Sequence, residues 1–155
     1  MQRILLSARI LFGLAMVVGM LMIGSATPAS ASHGARITIH AAVCDSNVSD
    51  IYGTCHDNRL GGVPFNVAGV WRETTTCMSP RTCSDGGGVV SWTPGAGTRT
   101  IIQDARVFDR YEGAYVYCSN QVTGAVLFDG PITTNRVTIT TTAGQEVICD
   151  WYNLT

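Results

Sequence analysis

Lysine is absent: all ten basic side chains of this chain are arginine. Chemistry that begins with a side-chain amine nucleophile therefore has no starting group. Charge is sparse as well, at 14% of residues with a net charge of −1, so the basic footprint of a nucleic-acid binder is missing. No C-x-x-C pair occurs, the closest cysteine spacing being "CMSPRTC", which argues against zinc. His33, His40 and His56 are the only histidines, without H-x-x-x-H spacing, and read as surface residues rather than metal ligands. There is no G-x-S-x-G, and no nucleophile–base pair can be named, so the chain reads as non-enzymatic and without a cofactor.

The N-terminus is where hydrophobicity concentrates. Arg3 and Arg9 flank or precede an apolar run at 10–23, "ILFGLAMVVGMLMI", shorter than the ~20 residues that span a bilayer. Small residues follow, "GSATPASAS", with Ala29-x-Ala31 as a cleavage motif; Gly24-Ser25-Ala26 is a second permissible site. Residues 1–31 are read as a secretory signal peptide and 32–155 as one domain. No Arg-Arg pair for twin-arginine export, no cysteine for lipidation near the cleavage site and no wall-sorting signal are present. The expectation is a secreted protein, extracellular or at the cell surface. It would touch a membrane only through the signal segment, were that left uncleaved.

What the remaining chain does contain is alternation. No stretch keeps a 3.6-residue apolar period for three turns, whereas period two recurs in short runs between glycine-rich turns. "RITIHAAVC" places Ile37 and Ile39 on one face, "GVPFNVAGV" alternates Val63, Phe65 and Val67, and "GGVVSWTP" puts Val90 beside Trp92. "TRTIIQD", "AYVYCS", "AVLF", "RVTITTT" and "EVICDWYN" follow, the last two flanking a turn at Ala143-Gly144. Such runs predict an all-β fold, an antiparallel sandwich of about seven strands. In the last run, Val147, Cys149, Trp151 and Asn153 share one side, which predicts a terminal strand pinned into the core. Six cysteines behind a signal peptide, Cys44, Cys55, Cys77, Cys83, Cys118 and Cys149, read as disulfides.

The order of these features, "ITIHAAVC", "GGVPFNVAG", "SDGGGVVSWTPGAGTRTIIQD", "YVYCS" and "VICDWYN", resembles the prealbumin-like (transthyretin-like) domains of bacterial surface proteins. Those are the collagen-adhesin B-type and SpaA-like pilin repeats, here in a cysteine-containing secreted form. Many such domains join a first-strand lysine to a last-strand asparagine, assisted by a buried acid. The resemblance puts Asn153 at the asparagine, about His40 at the lysine and Gln103, beside Asp104, at the acid. Without lysine that cross-link cannot form. The resemblance, with loop economy, implies the bridges Cys118–Cys149, Cys44–Cys55 and Cys77–Cys83; six cysteines alone allow about 15 pairings. The fold also hosts a hydrolase of ring-opened purine products that ends in tyrosine-arginine-glycine-serine, whereas this chain ends "WYNLT".

The implied function is a non-enzymatic module of the bacterial cell surface or extracellular matrix, adhesin-like or structural. Its partner would be an extracellular macromolecule or an envelope component. The alternative is a secreted carrier for a carbohydrate or small ligand, for which Trp71, Tyr115 and Tyr117 are the candidate ligand-facing aromatics. Trp92 reads as core. The loop "CDSNVSDIYGTCHDN" gathers Asp45, Asn47, Asp50 and Asp57 but departs from the twelve-residue calcium pattern and reads as a solvated turn.

Overall fold

The computed structural model describes residues 34–76 and 87–155. The expected signal segment, His33 and the expected Cys77–Cys83 pair lie outside them. Along the chain run β1 (Arg36–Cys44), α1 (Ile51–Cys55), β2 (Pro64–Val67), β3 (Val70–Glu73), β4 (Val89–Trp92) and β5 (Gly97–Gln103). Then come α2 (Ala105–Phe108), β6 (Gly113–Asn120), β7 (Val126–Ile132), β8 (Arg136–Thr141) and β9 (Glu146–Leu154). The strands form a five-stranded sheet, β4-β1-β9-β6-β7, and a four-stranded sheet, β3-β2-β5-β8. This is the expected disulfide-stapled β-sandwich, with nine strands among the described residues rather than about seven.

Part of the surplus comes from a turn inside one apparent strand. "GVPFNVAGV" folds back on itself at Ala68 and Gly69, whose φ angles are 54° and 84°. Positive φ at both central residues matches the twist of a tight hairpin. Asn66 Oδ1 accepts from the Gly69 amide at 3.1 Å and holds the turn. A second departure concerns direction: β1 and β9 pair in parallel, Arg36 with Glu146 through Cys44 with Leu154, while every other described pairing is antiparallel.

The core is the sum of the inward positions. Ile37, Ile39, Ala41, Val116, Cys118, Val147, Cys149 and Trp151 from one sheet meet Phe65, Val67, Ile101, Val137 and Ile139 from the other. Phe65 and Trp151 stack edge-to-face with centroids 5.2 Å apart. Cys118 and Cys149 are register partners on β6 and β9 and are bonded to each other. The end of the chain is held as its composition predicts: Trp151 and Asn153 are fully buried, and Thr155 donates its amide to the Cys44 carbonyl at 2.9 Å.

The two outer faces differ. On the four-stranded sheet alternation is clean, β8 burying Val137, Ile139 and Thr141 and exposing Arg136, Thr138 and Thr140. On the five-stranded sheet, Ala42 and Tyr152 are buried on the outward side as well, in a second cluster with Cys44 and Cys55. The Cys44–Cys55 disulfide draws the segment carrying α1 over that end of the sheet. One sheet face is therefore wet, and the other is partly roofed.

Candidate functional site

Beside the roof lies a groove of about 770 Å³ whose floor is the outer face of β1, β9, β6 and β7. Register fixes the order of its side chains. One row across the sheet runs His40, Asp150, Tyr117, Asp129; the next places Tyr152 beside Tyr115. Ser49 to Arg59 supplies the wall, with Asp50, Tyr52, His56 and Arg59 lining it. That wall is fixed at three points: the Cys44–Cys55 bond, a bridge between Ala42 and Arg59, and the cap of α1. Asp50 Oδ1 accepts from the Gly53 amide at 2.8 Å, as an N-cap carboxylate does. A Cβ at Gly53 would meet the Asp50 carboxylate, which would have to turn away from its capping position.

Among the described residues, the buried polar groups of the floor are paired, with one exception. His40 Nδ1 and Asp150 Oδ1 lie 3.0 Å apart, and Arg59 Nη1 stands 4.0 Å from the same oxygen. Tyr115 donates its hydroxyl to Asp129 Oδ1 at 2.5 Å, and that bond to a carboxylate raises the Tyr115 pKa. The exception is Tyr152, only 2% exposed, whose hydroxyl has no hydrogen-bond partner. Burial first, then the nearby Asp150 charge, pushes its pKa well above the usual phenol value. On the rim, His56 and Asp57 pair at 2.9 Å in the open, where such a bond contributes little.

Sequence reasoning placed Tyr115 and Tyr117 on one face, and they do line the groove together. Trp71 does not join them. It is 54% exposed on β3, in the other sheet. Trp92 is buried at the margin of the core, donating its indole N–H to the Val70 carbonyl at 3.0 Å, with the Arg72 guanidinium 6.0 Å over its ring.

The three positions drawn from the family cross-link separate. Gln103 and Asn153 are both fully buried on inward faces, but His40 lies on the opposite face of its sheet, bonded to Asp150. The β1 residue beside Asn153 in the register is Val43, three positions from His40, and an odd offset along a strand falls on the other face. The Gln103 amide makes no hydrogen bond through either side-chain atom, and Asn153 Oδ1 is likewise unpaired, its Nδ2 donating to the Ala42 carbonyl at 3.2 Å.

Reading the sequence missed Asp150, Arg59, Tyr152, Tyr52 and Asp129 as groove residues. The available signal was parity, because Asp150 and Tyr152 sit opposite Cys149 and Trp151 on the last strand. The His40–Asp150 pair sets a carboxylate on one imidazole nitrogen, the arrangement that orients a general base. No group of three or more His, Cys, Asp or Glu placed to hold a metal occurs among the described residues. The acidic loop residues are occupied locally: Asp45 accepts from the Asn47 amide, which lowers its pKa, Asp50 caps α1, and Asp57 meets His56.

No protein-family model matches the chain, and no curated protein matches it. Among solved structures it is similar to the major pilin of Streptococcus pyogenes, at 17% identity and a TM-score of 0.40. It is also similar to a point mutant of that pilin, at 14% identity and a TM-score of 0.44. Each match covers 79% of this chain and 48% of the pilin, so the chain spans about half the length of the protein it resembles.

Proposed function

We propose that this chain is a secreted, non-enzymatic module of the bacterial cell surface or extracellular matrix, structural or adhesin-like, that transmits tension between its ends. The observation that carries this reading is the parallel pairing of β1 with β9 at the centre of the five-stranded sheet. Strand β1 enters the ladder at Arg36 and β9 leaves it at Leu154, at opposite ends of nine paired positions. Tension applied to the two ends slides one strand along the other. The ladder hydrogen bonds then share the load together, whereas peeling would break them one at a time. The Cys118–Cys149 bond closes a segment 31 residues long, and Cys44–Cys55 one of 11, so neither can be drawn out while the bridges last.

Single-molecule stretching of the oxidised protein through residues 35 and 155 tests this. The expected result is a higher unfolding force than for the same protein pulled through the two ends of the β6–β7 hairpin, where the strands unzip. On reduction the released length should grow by roughly 100 Å for the larger loop and about 35 Å for the smaller, at ~3.3 Å per residue. An end-to-end force no greater than the hairpin force would remove the mechanical role. The groove favours a second reading, a carrier of a carbohydrate or small ligand, because its aromatic side chains face a concave surface.

A further inference from the structure

We infer that the groove is a recognition site for a basic peptide of another protein, its floor taking a lysine or arginine side chain. The inference stands on groove chemistry and is independent of the mechanical role, which the stretching experiment addresses separately.

Charge is unbalanced in one direction. Three carboxylates, Asp50, Asp129 and Asp150, line the groove against Arg59, the one permanent cation among the described residues that line it. Asp150 is shared between His40 and Arg59, whereas Asp129 is exposed and, among the described residues, receives only the Tyr115 hydroxyl. An anionic ligand would meet three like charges, and a neutral sugar would leave the imbalance untouched.

The aromatic placement matches the same ligand. Tyr117 stands in the row between Asp150 and Asp129, so its ring is flanked by a carboxylate on either strand. Ring faces carry negative potential and attract ammonium and guanidinium groups, an effect worth more when the cation is partly desolvated. Tyr115 and Tyr52 widen that surface.

The second, independent observation is the Tyr152 hydroxyl. It is buried, has no hydrogen-bond partner, and feels the charges of Asp150, Arg59 and Asp50. An unpaired buried hydroxyl is costly, and its oxygen can accept from an N–H of a basic side chain. A small metal ion does not fit, because no three acidic, histidine or cysteine side chains among the described residues converge on one point. The volume, about 770 Å³, suits several peptide residues rather than a lone ion.

The test is calorimetric titration of the oxidised protein with a capped tetra-arginine peptide at neutral pH and physiological salt, with the tyrosine ring signals followed by NMR. Binding should shift the signals of Tyr115 and Tyr117. Asp129→Asn should raise Kd about tenfold, the effect of losing one charge partner worth ~1.4 kcal/mol. Tyr52→Ala, at a 60% exposed position that tolerates truncation, should also weaken binding. Asp109→Asn, at an exposed carboxylate outside the groove, should leave Kd unchanged. Equal binding of a neutral tetra-citrulline peptide would overturn the inference, as would equal weakening by Asp109→Asn. So would the absence of binding, or binding of chitotriose in the groove without binding of the peptide.

Discussion

The two outer faces of the sandwich obey the same alternation rule and arrive at opposite results. On the four-stranded sheet the outward positions of β5 and β8 carry threonines that pair across the strands, Thr100 with Thr138 at 3.1 Å and Thr98 with Thr140 at 3.3 Å. β-branched hydroxyl pairs of this kind suit a wet sheet surface and leave little for a ligand to hold. On the five-stranded sheet the outward positions carry His40, Asp150, Tyr115, Tyr117 and Tyr152, and a disulfide-tied segment stands over one end of them. Concavity therefore comes from the bridge rather than from the sheet. A flat face becomes a groove when one loop is denied the freedom to leave it.

Breaking the bridges separates the two faces. Replacing Cys118 and Cys149 by alanine together should lower stability by about 4 kcal/mol in the chain-entropy model, and the whole sandwich should lose it. Replacing Cys44 and Cys55 by alanine should lower stability by about 3 kcal/mol, with a different distribution. Amide exchange should rise in 45–58 and around Tyr152, while β5 and β8 keep their protection. Denaturant titration gives the magnitudes and hydrogen exchange gives the location. Uniform loss of protection across both sheets in the second variant would show that the roof is part of the core rather than a cover over one face.

Alkaline titration sharpens the contrast, because the paired threonines of the wet face do not ionise, whereas the groove carries tyrosines. In the folded chain burial and the Asp150 charge disfavour the Tyr152 phenolate, so its folded pKa lies above the unfolded value near 10. The unfolded chain releases that proton first. Stability is therefore complete below about pH 10 and falls as pH rises beyond it. Tyr152→Phe keeps the ring and removes the titration, so the alkaline loss should become shallower. It should not vanish, since Tyr111, through burial, and Tyr115, through Asp129, are shifted in the same direction. Unfolding by pH jump, compared between the two proteins, measures this. Identical alkaline limbs would mean that the hydroxyl is solvated in the folded state.

Most of the fold was legible because inward residues declare themselves locally. Ile37 with Ile39, Val63 with Phe65 and Val67, and Val147 with Cys149 and Trp151 are each decided by period two within one run, and each set is buried. The groove was much less legible. His40 and Asp150 are 110 residues apart, and they meet only through a parallel register that no local pattern encodes. Tyr152 and Ala42 break alternation because a roof covers them, and the roof exists through the Cys44–Cys55 pairing. The five residues of α1 are too few to show a helical period, although Asp50 with Gly53 is a cap that could have been read. Trp71 looked like Tyr115 in sequence and differs by position, on an edge strand of the sheet that lacks the groove.

The smallest expected effect lies on the plain side of the comparison. Ala68 is the one non-glycine residue with positive φ among the described residues, and a Cβ in that region costs roughly 1–2 kcal/mol. Asparagine tolerates the conformation better, and Asn-Gly is the favoured pair for a tight hairpin with both central residues there. Ala68→Asn should therefore gain about 1 kcal/mol, a rise of several degrees in Tm for a domain of this size. Ala68→Val should lose stability, because β-branching deepens the clash. Both changes fall in the β2–β3 turn, away from the groove-lining residues, so peptide affinity should stay the same while thermal stability moves in both directions. A change in affinity with either variant would mean that the two faces are coupled through the core. The groove would then depend on the rigidity of the opposite sheet as well as on its own bridge.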